Sequence, residues 1–328
     1  MCKLKRIVHS IVLMTIFLSL FSACQDEFAQ PQVLKKKALV LGFAQLGDES
    51  GWRSGNTISI QKAASDGNIQ LMFSNAEQKQ ENQIKAIRSL IAYRVDVIAF
   101  APIVENGWDN VLTEAKQAGI PVFLTDRYIR TDDAGLYACY IGSNFQEEGK
   151  RAARFLKKKF ADEDRTINIV ELSGTVGASP ALGRSEGFYK ELSDDSKFKI
   201  ITSQSGDFMR SKGKEVMNNM LKKYRNIDVL YSHNDAMTLG AIDAIENAGI
   251  RPGKDIVIIS IDGEQAAIDL LKIGKINCVI ECNPMLGPTI VDTAKKLVRG
   301  ESVPKNIYSE EKVFTEWDDL TDLPPRGY

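Results

Sequence analysis

Residues 47–57, GDESGWRSGNT, follow the apolar run ALVLGFAQ and hold two carboxylates, an indole, a guanidinium, small hydroxyls and three glycines. Neither a packed core nor a plain turn asks for Trp52 beside Arg53. The same mixture recurs further on, as Asp126-Arg127 in LTDRY, Asn234-Asp235 in SHNDAM and Asp262 in SIDGE. A hydroxyl group is donor and acceptor at once, so an acid and an arginine side by side satisfy both of its functions. Arginine suits this better than lysine because its planar fork fixes two bonds together. An indole face suits the C–H face of a polyhydroxylated ring. Arg184, in VGASPALGRSEGF, is expected at the start of a helix, and Phe208, in SQSGDFMRSKG, is placed to close a second ring over a ligand. Each residue also has a plainer role: Trp52 as a helix start packed on a sheet, Asp126-Arg127 as a turn ion pair, Asn234 or Asp235 as a helix cap, Asp262-Gly263 as a turn. Trp108, in PIVENGWDN, is read as structural.

The elements that must position these groups are legible as an alternation. From residue 37 onward, short β-rich runs (ALVLGFAQ, IQLMFSNA, VDVIAFAP, IPVFLTD) alternate with stretches of helical period, the first helix being expected near 53–65. In KQENQIKAIRSLIAY, Ile84, Ile87, Leu90 and Ile91 form one apolar stripe. The pattern repeats through YACYIGSN, TINIVELSG, FKIITSQSG, IDVLYSHND and DIVIISIDG, each with a helix after it. Such an order demands right-handed crossovers and parallel sheets. Two successive α/β sheets are expected, with the chain passing between them near residue 141. Glycines after the helices fit left-handed C-terminal caps. The polar groups all fall where a strand gives way to the next helix, the edge at which open parallel sheets bind ligands. If the two sheets face one another along those edges, the side chains share one cleft.

Composition narrows the function. The chain has 328 residues, 44% of them hydrophobic, enough for two cores. With 42 basic and 43 acidic residues there is no basic excess for nucleic acid or an anionic surface. Residues 1–23 have the layout of a secretory signal: basic MCKLKR, apolar IVLMTIFLSLF and small residues before Cys24. LFSAC is similar to a bacterial lipobox, which would make Cys24 a lipidated first residue, although Phe21 departs from the usual Leu. Residues 24–36 read as a polar tether. Removing residues 1–23 takes away three basic and no acidic residues, so the formal charge moves from −1 to −4. Cys139, Cys278 and Cys282 make no CxxC and no disulfide framework, and are read as buried apolar residues. Two histidines in the whole chain argue against a His-based metal site or a Ser-His-Asp hydrolase. Neither GxGxxG nor GxxxxGK[ST] occurs in a fitting position.

The stretches ESGWR, KQENQIKAIRSLIA, FLTDR, GTVGASPALGRSEGF, SQSGDFMRSKGKEVM, HNDAMTLGAI, PGKDI and SIDG together resemble the sugar-binding proteins of bacterial ABC importers, in the ribose- and galactose-binding group and its galactofuranose-binding subgroup. The resemblance runs from about residue 38 to the C-terminus. It implies a periplasmic binding protein of type I, with two Rossmann-like lobes joined by three crossovers. The N-terminal lobe would hold residues 37–140 plus about 283–308, and the C-terminal lobe residues 141–282 plus about 309–328. It assigns Glu49, Ser50, Gly51, Trp52 and Arg53 to one wall of the pocket, with Asp126 and Arg127 from the same lobe. Arg184, Phe208, Asn234 and Asp262 would answer from the other. Glu281 in VIECNP corresponds to a polar ligand near the hinge, although Cys282 stands where a hydrophobic residue is usual. The implied protein is exported and non-enzymatic, needs no cofactor and binds a monosaccharide, with galactofuranose expected and another pentose or hexose such as galactose, arabinose or ribose as the alternative. It works as a monomer with an ABC permease of the cytoplasmic membrane, or alternatively feeds a signalling system. A DNA-binding regulator of the same fold would need a basic helix-turn-helix where the apolar signal stands.

Overall fold

The computed structural model describes residues 38–328; the signal over 1–23, Cys24 and the tether over 24–36 lie outside the described residues. The strands are β1 (Val40–Gln45), β2 (Gln70–Asn75), β3 (Val97–Phe100), β4 (Val122–Thr125), β5 (Tyr140–Gly142), β6 (Ile167–Ser173), β7 (Phe198–Ser205), β8 (Val229–Ser232), β9 (Val257–Asp262), β10 (Cys278–Glu281), β11 (Asn306–Tyr308) and β12 (Val313–Thr315). The α-helices are α1 (Gly51–Asp66), α2 (Gln80–Ala92), α3 (Asp109–Gln117), α4 (Phe145–Lys159), α5 (Ser179–Leu192), α6 (Arg210–Lys223), α7 (Asp235–Asn247), α8 (Gln265–Lys272) and α9 (Gly287–Val298).

They build two six-stranded sheets, ordered β11-β5-β4-β3-β1-β2 and β12-β10-β9-β8-β6-β7. Every neighbouring pair is parallel except β10 with β12. Central strands such as VIAF in β3, VFLT in β4 and VLYS in β8 are buried at every residue, as sheets covered by helices on both faces require. The edge strands β2 and β7 are mostly half-buried. Each sheet therefore has an apolar cluster on each face. Glycines 119, 249, 274 and 300 follow their helices with φ between 70° and 75°, the conformation of a left-handed cap.

Three connections join the sheets. Residues 143–144 lead from β5 to α4, residues 282–286 from β10 to α9, and residues 309–312 from β11 to β12. Strands β11 and β12, on either side of the third connection, were not visible as elements in the sequence, because three-residue strands carry no period. Trp108 packs its ring 5.1 Å from Phe100 and donates from Nε1 to the Val104 carbonyl, a structural role. The helix bearing Arg184 begins at Ser179, with Pro180 in its first turn, so Arg184 lies in the second turn rather than at the start.

Candidate functional site

The segments that follow the carboxyl ends of β1, β4, β6, β7, β8, β9 and β10 meet around a small cavity. Its lining is Glu49, Ser50, Trp52, Arg53, Asp126, Arg127, Pro180, Arg184, Phe208, Asn234, Asp262 and Cys282. Ten of the twelve residues expected from the sequence thus come together from both lobes. The lobes also touch beyond the crossovers: the Glu105 amide donates to the Gly177 carbonyl at 2.9 Å, and the Tyr128 amide to Ser179 Oγ at 3.0 Å. The cleft is closed.

In the first lobe the charges interlock. Arg53 donates from Nη2 to Asp126 at 2.5 Å and from Nε to Glu49 at 3.1 Å. Arg127 lies 3.5 Å from Glu49 and donates from Nη1 to the Ile103 carbonyl at 3.0 Å. All four side chains are at most 7% exposed. Burial pushes the Glu49 carboxyl up, but Arg53 and Arg127 together outweigh it and hold the group below the usual carboxylate range. Burial also pulls Arg127 down to about 10, against the attraction of Glu49. In the second lobe Arg184 donates to Glu148 at 2.7 Å and to the His233 carbonyl at 2.5 Å, and its Nη2 stands 3.8 Å from Asp262. Burial raises Asp262 well above the carboxylate range, Arg184 opposing.

Three of the lining residues have positive φ: Asp126 at 61°, Phe208 at 62° and Asp262 at 126°. For non-glycine residues this is stored strain, and such strain concentrates where a side chain must be aimed. The Phe208 ring lies against Gly174, where a Cβ would stand 1.9 Å from it, and the Arg127 guanidinium sits 5.1 Å over its centroid.

Trp52 combines both readings. Its ring lines the cavity, yet it is buried in the second lobe's apolar cluster, Nε1 donates to the Cys282 carbonyl at 2.6 Å, and Arg53 lies 4.7 Å over its centroid. Asn234 also does two things: Oδ1 caps α7 through the Met237 amide, and Nδ2 donates to the Phe208 carbonyl. Asp235 turns away from the cleft to Ser260 and to the amides of Gly263 and Glu264. Two expected residues do not line the cavity. Glu281 binds the Lys312 amide and Arg326, so its carboxylate ties the crossovers to the C-terminal segment. Gly51 faces Glu264 of the second lobe, which a Cβ would approach to 2.9 Å. The sequence did not assign Pro180, Cys282, or Glu148 behind Arg184 to the site; there Cys282 reads only as a buried apolar residue. Glu148 sits in a helix whose charge pattern looks like any solvated face.

What the arrangement can do follows from its unpaired atoms. Among the described residues, Glu49 Oε2, Arg53 Nη1 and Arg127 Nε are buried without a hydrogen-bond partner. Buried polar atoms are rarely left so. One acceptor and two donors therefore belong to residues of a lining that carries three acids and three arginines.

Two α/β lobes closing on a cleft, joined by three crossovers, define the hinged binding-protein class. Residues 42–302 match the periplasmic binding protein domain family, and the chain belongs to it. The galactofuranose-binding protein YtfQ of Escherichia coli (strain K12) is 43% identical over 272 residues, 82% of this chain and 85% of that protein. The fructose import binding protein FruE of Bifidobacterium longum is 34% identical over 280 residues, 84% of each chain. A Mycobacterium smegmatis protein solved with β-D-fucofuranose superposes with a TM-score of 0.84 at 49% identity, covering 85% of this chain and 92% of that one. The binding component of the arabinose ABC transporter from Shewanella sp. ANA-3, bound to α- and β-L-arabinofuranose, gives 0.81 at 43% identity over 84% and 92%. Among the described residues no helix is long and apolar enough to cross a membrane.

Proposed function

We propose that this chain is the substrate-binding protein of an ABC-type sugar importer and captures one monosaccharide in its furanose form, galactofuranose being the favoured candidate. The observation that carries the reading is the trio of buried, unpartnered atoms on Glu49, Arg53 and Arg127 in a lining of three acids and three arginines. Vicinal hydroxyls supply both the donor and the acceptors that such a set requires. The cavity is small and enclosed by side chains of both lobes, which favours a single sugar over an oligosaccharide. The relatives bound to fucofuranose and arabinofuranose support the five-membered ring.

The site residues are Glu49, Ser50, Trp52, Arg53, Asp126 and Arg127 from one lobe and Arg184, Phe208, Asn234 and Asp262 from the other. The protein is exported, acts as a monomer without a cofactor or catalysis, and hands its sugar to a permease in the cytoplasmic membrane. A lipid on Cys24 would keep it at that membrane. Titration calorimetry with D-galactose, D-fucose, L-arabinose, D-ribose and D-fructose tests the reading. One-to-one binding of a sugar able to adopt a furanose ring is expected; no heat with any of them overturns it.

A further inference from the structure

We propose that Glu264 is a positioning residue for ligand capture, a carboxylate that caps from the second lobe the first-lobe helix carrying Trp52 and Arg53; the proposal rests on the sugar-binding reading above. Helix α1 begins with Ser50 as its N-cap, whose Oγ accepts from the Arg53 amide at 3.2 Å. A capping box places Glu or Gln three residues after such a serine. Here that position is Arg53, and the first turn of α1 holds no acid. The arginine is needed in the cavity, and the nearby carboxylates of Glu49 and Asp48 bond the side chains of Arg53 and Ser54, so the capping-box position holds no acid for the first amides.

Glu264 supplies it. Its Oε1 accepts from the Trp52 amide at 2.8 Å, across 212 residues of sequence. A carboxylate is favoured there both by the free amides and by the positive end of the helix dipole. The group is firmly mounted. Glu264 is itself the N-cap of α8, and its amide and that of Gly263 both donate to Asp235 Oδ2 at 2.7 Å, while Asp235 is in turn bonded to the Ser260 hydroxyl. Gly51 now has a reason. A Cβ there would lie 2.9 Å from Glu264 Oε2, so glycine leaves room for a carboxylate from the other lobe rather than for a ligand.

Lobe closure and completion of this cap are then one event. The residues fixed by the capped turn, Trp52 and Arg53, touch the cavity, so the contact favours the form that holds sugar. Calorimetry with D-galactose and L-arabinose on Glu264→Ala, Glu264→Gln and Gly51→Ala tests this. Glu264→Ala should bind about five- to tenfold more weakly, the effect of losing a helix cap, with the melting temperature of the free protein unchanged. Glu264→Gln keeps an acceptor and should restore most of the affinity. Gly51→Ala should weaken the wild type but add nothing to Glu264→Ala. Affinity of Glu264→Ala within twofold of wild type overturns the proposal, as does a lowered melting temperature with unchanged affinity, which would mark a permanent structural cap. Wild type that binds none of the five sugars above overturns the functional reading and this proposal together, whereas a wild type that binds one of them, with an indifferent Glu264→Ala, removes this proposal alone.

Discussion

At the scale of single residues, the cavity works because its charges are spent on each other in pairs but not completely. Arg53 joins Glu49 and Asp126, and Arg127 lies close enough to Glu49 to share it. Holding four charged groups out of water is costly unless each is paired and hydrogen-bonded, and here the bonds still lacking point to hydroxyls. Arg127 is the sharper probe, since one nitrogen holds the Ile103 carbonyl while another is unbonded. A lysine keeps the charge but not the fork. Arg127→Lys should therefore weaken sugar binding by roughly ten- to a hundredfold, the loss of about 1.5–3 kcal/mol for a hydrogen bond to a charged group. Titration calorimetry would check it, and affinity within a factor of two of wild type would contradict the geometry given. The types of these residues were readable from the sequence, since acid-arginine neighbours after strands already pointed to hydroxyl recognition. Their aim was not. The positive φ of Asp126, Phe208 and Asp262 depends on the turn each sits in, and none of these is a residue whose type announces it. Glu281 shows the converse, an acid at the right place in the sequence whose side chain is already bound by Arg326 and a backbone amide.

At the scale of elements, the positions of helices followed from periodicity, but not how closely they pack. Helices α4 and α5 touch backbone to backbone: a Cβ on Gly149 would lie 2.2 Å from the Arg184 carbonyl oxygen, and one on Gly187 would lie 2.0 Å from the Gln146 carbonyl oxygen. That approach is what lets Glu148 on one helix reach Arg184 on the other at 2.7 Å. The stretch GRSEGF lacks the spacing of a dinucleotide fingerprint, and its glycines, 183 and 187, serve helix contact. Because backbone cannot yield as a flexible side chain can, Gly187→Ala should separate the two helices and cost about 1–3 kcal/mol, as overpacking does. Chemical denaturation would measure that loss. Binding should fall as well, since Arg184 would move with its helix; a fully stable Gly187→Ala variant would mean the helices are not so close. Helix α1 was legible for a different reason, its odd composition. Its buried face carries Asn56 and Ser59, which bond the Pro284 carbonyl and the Gly287 amide in and after the second crossover. An amphipathic search finds little there because the buried stripe is polar.

At the scale of the whole molecule, the three crossovers meet in one buried knot, and its protonation sets a pH dependence. Ser143 of the first crossover donates to Glu311 of the third and lies 3.2 Å from the Cys282 sulfur of the second. Glu311 also accepts from Ser309 at 3.0 Å, and Arg151 holds its carbonyl. Burial, and next to it the negative charge of Glu148, pushes the Glu311 carboxyl up to about 8, the hydroxyl donors opposing. At neutral pH the native protein therefore keeps a proton there that the unfolded chain, with a carboxyl near 4.3, gives up. Between those two values the native state binds more protons than the unfolded state, so stability falls as pH rises through that window. The stability is fully present below about 4.3 and its loss is complete once the pH passes the folded value. Asp235, also raised to about 8 by burial and by Glu264, contributes with the same sign. Glu171, lowered to about 2 because His233 and its hydroxyl donors outweigh burial, has the opposite sign and matters only at lower pH. Glutamine imitates the protonated acid in shape and charge. Glu311→Gln should thus match wild type near pH 4, exceed it near pH 8, and show a shallower decline of Tm between them, with the Asp235 share remaining. Thermal denaturation across that range decides it: parallel curves for the two proteins would mean that Glu311 carries its charge in the native hinge and that the knot is held by ion pairing instead.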